Sequence, residues 1–375
     1  MRVVILMALT GGGHRSAALA IQEAMGRCYG PQVQVEIVDA LRGYAPFPFS
    51  HLDALYPVWV ARGVWSWRWG FRLTCSPRRV TALLRLLWPL TWPRARHLVQ
   101  EHPADVLVSV HPLVNHTLIW TLRRLKREIP FITVVTDLVT VHPFWLSPKV
   151  TRLLVASEPA RRQAVAWGIP PDRVRVTGLP VSLRFVTLLH EVTRGEARRR
   201  LNWLPDRPAV LLVGGGEGMG PLYEIAQAIA HVGAPIQLAV VAGRNERLRW
   251  RLEQAHWPIP VHIYGFVGNM PELMRAADLL VTKAGPGTIS EACIAGLPMI
   301  LSGAIPGQEE GNVTYLVEQG AGSWAPSPQQ IAQQVLQWTQ PGDPTLAQMA
   351  ERARALGHPE AALEVAREIV EVGQR

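Results

Sequence analysis

Cysteine is scarce in this chain. Cys28, Cys75 and Cys293 are the only three among 375 residues, and no CxxC spacing occurs. An odd, scattered set of thiols supports neither a disulfide framework nor a zinc site, and a reducing cytosol is the expected setting. Long apolar runs are missing as well: no stretch reaches the ~20 residues that a membrane-crossing helix needs, so any bilayer contact is expected to be peripheral. The apolar opening, Arg2-Val3-Val4-Ile5-Leu6-Met7-Ala8-Leu9, runs into a glycine turn and a helical pattern instead of a cleavage site, and reads as a first strand. Acidic residues are few, 29 against 38 Lys and Arg, which leaves a net charge of +9. That excess points to an anionic partner, which could be nucleic acid, an anionic bilayer or a nucleotide. The acidic deficit is concentrated, with no Asp or Glu between Asp53 and Glu101.

What fills that interval is arginine and tryptophan. Arg62, Arg68, Arg72, Arg78, Arg79, Arg85, Arg94 and Arg96 alternate with Trp59, Trp65, Trp67, Trp69, Trp88 and Trp92. Indoles at an interface with guanidiniums on phosphates suit a lipid headgroup boundary. Two other readings stay open: stacking on single-stranded nucleic acid, and a core helical hairpin whose arginines face water. Branched aliphatics beside the indoles, and the absence of a nucleic-acid fold signature, favour lipid over nucleic acid.

A chain of 375 residues with 48% hydrophobic content can bury two cores, since one α/β core seldom grows past ~250–300 residues. Strands are expected over 3–9, 33–38, 105–110, 131–136, 152–156 and 173–177, with helical periodicity between several of them. The first strand leads to Thr10-Gly11-Gly12-Gly13-His14, which is not the G-x-G-x-x-G of a dinucleotide site, because an imidazole stands at the helix entrance. His14 in that place can act as a general base toward a hydroxyl, or cap the turn through a backbone contact. In an open parallel sheet the loops after strand ends share one rim, so His14, His111, Asp137 and Trp145 should meet there. Gly178-Leu179-Pro180 reads as a linker. It separates domain 1–178 from domain 179–358, and a final helix, 359–375, is expected to pack back toward the first.

Beyond the linker, strands over 209–213, 237–241, 261–264, 279–281 and 299–301 each run into a turn. All five turns bear glycine: Gly214-Gly215-Gly216-Glu217-Gly218-Met219-Gly220, then Gly243-Arg244-Asn245, Gly265-Phe266-Val267, Lys283-Ala284-Gly285-Pro286-Gly287-Thr288-Ile289-Ser290-Glu291, and a fifth that holds Gly307. The strand over 299–301 leads to Pro306-Gly307-Gln308-Glu309-Glu310-Gly311-Asn312. Glycine turns at helix starts aim backbone N–H groups at one point, which suits phosphates; a carboxylate takes ribose hydroxyls, and a Gln/Glu pair reads a sugar. The pattern describes an α/β nucleotide-binding domain that takes a nucleotide diphosphate carrying a sugar. Helices are expected over 196–202, 329–340, 346–355 and 360–372.

These motifs, in this order and over nearly the whole chain, resemble the diacylglycerol glycosyltransferases of the family that also holds the enzyme forming lipid II. Within it the sequence looks most like the monogalactosyldiacylglycerol synthases. The segment around 52–96 is the least family-like. The resemblance implies a GT-B architecture, two Rossmann-like domains facing across a cleft, with the first for acceptor and membrane and the second for a UDP-sugar. It implies inverting transfer to diacylglycerol at the cytoplasmic face of a membrane, with no tightly bound metal or cofactor. By matching motif, His14 would be the base, Glu291 would hold the ribose, Gln308 and Glu309 the sugar hydroxyls, and Trp145 would lie on the lipid side. Asp137 remains a rival base or His14's orienting partner. The donor set is completed by Gly13, Gly215, Gly216, Glu217, Gly243, Arg244, Gly265, Phe266, Val267, Lys283, Gly285, Gly287, Thr288 and Asn312. Trp59, Trp65, Trp67, Arg68, Trp69, Arg72 and His111 stand with Trp145 on the acceptor and membrane side. Partners implied are a UDP-sugar, diacylglycerol and anionic lipids, and not nucleic acid. Glucose in place of galactose, processive addition, a lipid-linked cell-wall precursor as acceptor, and a non-catalytic UDP-sugar sensor are the alternatives.

Overall fold

The computed structural model describes residues 1–9, 12–47, 49–51 and 64–374. Thr10, Gly11, Asp53, Trp59 and Arg62, singled out above, lie outside the described residues. By internal contacts the chain divides into two units, Met1–Leu183 with Pro306–Gln308 and Glu360–Arg375, and Arg184–Ile305 with Glu309–Pro359. The change of unit thus falls a few residues past Gly178-Leu179-Pro180, and the segment Pro306–Gln308 joins the first unit although it lies between stretches of the second.

Each unit is built on a six-stranded parallel sheet. In the first the strands are β1 (Arg2–Met7), β2 (Gln34–Asp39), β3 (Val106–Ser109), β4 (Phe131–Val134), β5 (Arg152–Val155) and β6 (Val174–Val176), in the order β2-β1-β3-β4-β5-β6. These strands form because short apolar runs bounded by turn residues can be covered on both faces only in a parallel sheet. The period of two is visible directly: Val4 and Leu6 enter one core, Val3, Ile5 and Met7 the other. The second core is closed by helix Ala361–Gly373, whose Val365 and Ile369 are fully buried. Glu368 of that helix holds Arg152 Nε at 3.0 Å.

In the second unit β7 (Ala209–Val213), β8 (Gln237–Val241), β9 (Val261–Tyr264), β10 (Leu279–Lys283), β11 (Met299–Gly303) and β12 (Gly322–Trp324) take the order β12-β11-β10-β7-β8-β9. Strand order reverses between β1 and β3 in the first sheet and between β7 and β10 in the second. At such a switch point the loops part and leave a crevice beyond the strand ends. His14 and His111 follow the two strands of the first switch point; the 214–220 turn and the Gly285 turn follow those of the second.

The arginine and tryptophan segment is helical where it is described, Val64–Thr74 and Pro77–Glu101. The second helix buries Val80, Leu84, Ala95, Leu98 and Val99, and leaves Leu86 and Leu90 exposed, at 77% and 57%. No helix among the described residues is long and apolar enough to cross a membrane.

Candidate active site

β1 ends one turn before helix Gly12–Tyr29, which sets His14 in the helix's first turn. Its Nδ1 lies 2.7 Å from the Val110 carbonyl and 3.0 Å from Thr136 Oγ1. A carbonyl only accepts, so Nδ1 must carry the proton and Nε2 keeps its lone pair. Burial pushes His14 down to about 4, against the opposing pull of the Val110 bond, so the ring is neutral at physiological pH. His111 meets His14 edge-on, ring centroids 4.7 Å apart, and burial with the facing ring holds it well below the usual histidine value. The Trp145 ring stands 6.1 Å from His14. The four rim residues predicted from the strand ends are thus together.

Two expectations about them need correcting. Asp137 is buried, with Oδ2 accepting from Trp145 Nε1 at 2.7 Å and Oδ1 from Gln308 Nε2 at 3.2 Å. The orienting role expected of it toward His14 falls to the Val110 carbonyl and the Thr136 hydroxyl. Trp145 was expected on the lipid side, yet it is 1% exposed. The short turn Pro143–Trp145, capped by His142 accepting from the Phe144 amide, folds the indole back onto the core. Trp65, Arg68, Trp69 and Arg72 are exposed, whereas Trp67 is half-buried.

In the second unit the turns after β7, β8 and β9 meet. Arg244 pairs with Glu217 at 2.6 Å and lies 4.2 Å from the Phe266 ring centroid. Gly215 and Gly216 sit below them, and a Cβ on Gly216 would stand 3.4 Å from the Arg244 guanidinium. Gly243 is held at φ +60°, where a Cβ would come within 2.5 Å of the Gly216 carbonyl, so only glycine lets the two turns approach. Gly265 packs on Arg249, and Val267 is half-buried beyond it. Helix Pro286–Ala295 starts from Gly285 with no side-chain cap. Its Gly287 and Thr288 amides have no acceptor within the helix, an arrangement that can receive an anion. In the first unit, Gly13 is exposed at the start of the His14 helix, with open space where a Cβ would stand.

Glu309, expected to read sugar hydroxyls, is 3% exposed and already engaged: Oε1 takes Lys283 Nζ at 2.6 Å and Oε2 the Ile305 amide at 2.9 Å. It positions Lys283 beside the Gly285 turn. Gln308 packs with the first unit against Asp137, its Oε1 buried without a partner among the described residues. Asn312 is buried and donates to the Ala284 carbonyl at 2.9 Å, which braces the glycine turn from behind. Glu291 is half-buried with no hydrogen bond or ion pair among the described residues, and burial pushes its carboxyl up to about 8. No group of three or more His, Cys, Asp or Glu able to hold a metal ion occurs among the described residues.

The sequence alone gives Thr136 and Val110 no role of their own, because a threonine and a valine at strand ends carry no chemical signal until another loop arrives beside them.

Residues 14–181 match the family model of monogalactosyldiacylglycerol (MGDG) synthase, and residues 209–365 that of the glycosyltransferase family 28 C-terminal domain. A probable monogalactosyldiacylglycerol synthase 2, chloroplastic, of Oryza sativa subsp. japonica is 39% identical over 385 residues, covering 100% of this chain and 81% of the relative. Monogalactosyldiacylglycerol synthase 1, chloroplastic, of Arabidopsis thaliana is 39% identical over 389 residues, 99% of this chain and 71% of its own. Among solved structures, Acinetobacter baumannii MurG matches with TM-score 0.65 at 17% identity, covering 99% of each chain. A Neisseria meningitidis UDP-GlcNAc 2-epimerase bound to UDP-GlcNAc matches with TM-score 0.62 at 14% identity, 99% of this chain and 100% of that one. The fold they share is GT-B.

Proposed function

The chain belongs to the monogalactosyldiacylglycerol synthase family, and on that premise we propose that it transfers galactose from UDP-galactose to the free hydroxyl of a 1,2-diacylglycerol with inversion at the anomeric carbon. The acceptor oxygen bonds to C1 of the sugar as the bond from C1 to the phosphate oxygen breaks. The hydroxyl proton goes to His14 Nε2, and UDP leaves as the diphosphate.

The observation that carries this reading is the fixed tautomer of His14. With Nδ1–H committed to the Val110 carbonyl at 2.7 Å, the free lone pair of Nε2 is available to a hydroxyl, as general base catalysis requires. The other half of the chemistry is stabilisation of the leaving diphosphate. The Gly287 and Thr288 amides, the Gly215-Gly216 turn and the Lys283 ammonium, steadied by Glu309, supply fixed positive charge without a metal ion. Glu291, carrying its proton near neutral pH, can both donate to and accept from the ribose hydroxyls. Peripheral attachment at the cytoplasmic face is assigned to Trp65, Trp69, Arg68 and Arg72, whose exposure suits indoles in the headgroup layer and guanidiniums on anionic lipid.

Incubation of the purified protein with labelled UDP-galactose and diacylglycerol, with UDP-glucose in parallel and a chelator in a third arm, tests the reading. A β-galactosyl lipid, formed equally well with chelator, is expected. No glycolipid from UDP-galactose would refute it. His14→Ala should lose transfer by 10²-fold or more while UDP binding stays intact, and normal turnover in that variant would move the base elsewhere.

A further inference from the structure

We propose that an apolar groove in the first unit, next to the histidine rim, receives one acyl chain of the acceptor and sets which chain lengths are glycosylated. The inference rests on diacylglycerol being the acceptor. The groove runs between helix Pro77–Glu101 and helix Asn115–Arg124, walled by Leu83, Leu87, Leu113, Leu118, Phe49 and Phe144. Its enclosed part is about 120 Å³, and the groove is open along one side, as a slot for one flexible chain would be and a cavity for a whole small ligand would not.

Of the three polar side chains that line it, Tyr44, Thr91 and Thr117, two are turned to other partners. Thr91 Oγ1 donates to the Leu87 carbonyl of its own helix at 3.2 Å. The Tyr44 hydroxyl is taken up by Glu101 at 2.6 Å and His102 at 3.0 Å. A peptide laid in such a groove would need partners for all its amides and would find little beyond the Thr117 hydroxyl. A methylene chain asks for none.

The groove also shares its loops with the site. Leu113 and Val114 stand two and three residues after His111, and Phe144 precedes Trp145, so the two loops that bring His111 and Trp145 up to His14 are the loops that wall the groove. At the other end Leu86 and Leu90, on the same stripe of the helix as Leu83 and Leu87, stay exposed. A chain can therefore pass from a bilayer along that stripe while its glycerol hydroxyl stays at the histidines.

Two measurements test this. The first compares diacylglycerols with acyl chains from four to ten carbons at saturating UDP-galactose, in the wild type and in Ala45→Phe and Thr117→Phe, which fill the groove from half-exposed positions. Moving one methylene from water to an apolar wall is worth a factor of about four, so wild-type kcat/KM should climb with chain length in the monomeric range. In the filled variants that climb should flatten, by tenfold or more at ten carbons, with the four-carbon acceptor unaffected. The second uses the wild type with a diacylglycerol carrying a photoreactive group mid-chain. Crosslinks are expected in the groove walls at Leu83, Leu87, Leu113 or Leu118. Turnover of the four-carbon acceptor with an unmoved chain-length preference in the filled variants, or crosslinks confined to Val64–Thr74, would overturn the groove alone. No wild-type turnover at any chain length would overturn the groove and the galactosyl transfer together.

Discussion

Replacing Thr136 by valine isolates how His14 is made a base. The substitution keeps the volume of a buried side chain and removes one of the two oxygens beside Nδ1, at 3.0 Å, while the closer Val110 carbonyl at 2.7 Å remains. The tautomer should survive, but the imidazolium that forms as the acceptor proton is taken loses one of its two stabilising dipoles. A net hydrogen bond of this neutral kind contributes ~0.5–1.5 kcal/mol, which is roughly 2- to 13-fold in kcat. The KM for UDP-galactose should not move, because the bond strengthens only when charge develops. The acidic limb of the kcat/KM profile, expected near His14's value of about 4, should shift lower still. Thr136→Ser restores the hydroxyl and should restore the rate. Steady-state kinetics from pH 4 to 8, with ¹⁵N spectra of the histidines to follow the tautomer, are the assay. Valine at wild-type rate, or serine as impaired as valine, would refute the assignment.

Four further outcomes follow from the same geometry. His142, held by burial at about 4, and His14, His111 and His116, also lowered by burial, take protons readily only when the chain unfolds. Their stabilisation is full above the unfolded value near 6.5 and is lost as pH falls toward 4, at up to ~1.4 kcal/mol per pH unit per group; urea midpoints that do not move between pH 7 and 4.5 would contradict this. Glu291 has the opposite sign: its folded value of about 8 lies above the unfolded one, so its contribution fades as pH rises from ~4.5 to 8. Glu291→Gln should therefore unfold later than wild type at pH 8.5 and alike at pH 4.5, by at most ~4 kcal/mol after allowance for partial exposure, and parallel melting curves would count against it. Gly243→Ala drives a Cβ against the Gly216 carbonyl and should weaken UDP binding by tenfold or more in titration calorimetry. Removing the exposed indoles of Trp65 and Trp69 should each cost ~1–2 kcal/mol of vesicle binding, read by co-sedimentation on phosphatidylglycerol vesicles; unchanged partition would leave that surface without its assigned role.

The second sheet was the most legible part of the chain. Strands over 209–213, 237–241 and 261–264 were expected to the residue, because each is a short β-branched or aliphatic run whose buried faces and glycine boundaries leave one reading. The rim residues were legible too, since parallel topology alone sends the loops after β1, β3 and β4 to one edge. What escaped was every pairing between loops distant in sequence. Trp145 reads as a rim residue on the lipid side until the turn at Pro143 is seen folding it onto Asp137. Glu309 reads as a sugar ligand until Lys283, 26 residues earlier, is found on its carboxylate. Thr136 has no signal of its own, and acquires meaning only where the end of β4 meets a helix that begins after β1.

The atom that decides where His14 keeps its proton belongs to the main chain at Val110. No exchange of side chains at that position can delete it, and drift there is limited only by the size of what fits. The chemistry of the imidazole is thereby insulated from divergence around it. To disarm His14 without touching it, a lesion would have to displace the end of β3 itself, by an insertion or a slipped strand, and such damage would cost the sheet before it cost the reaction.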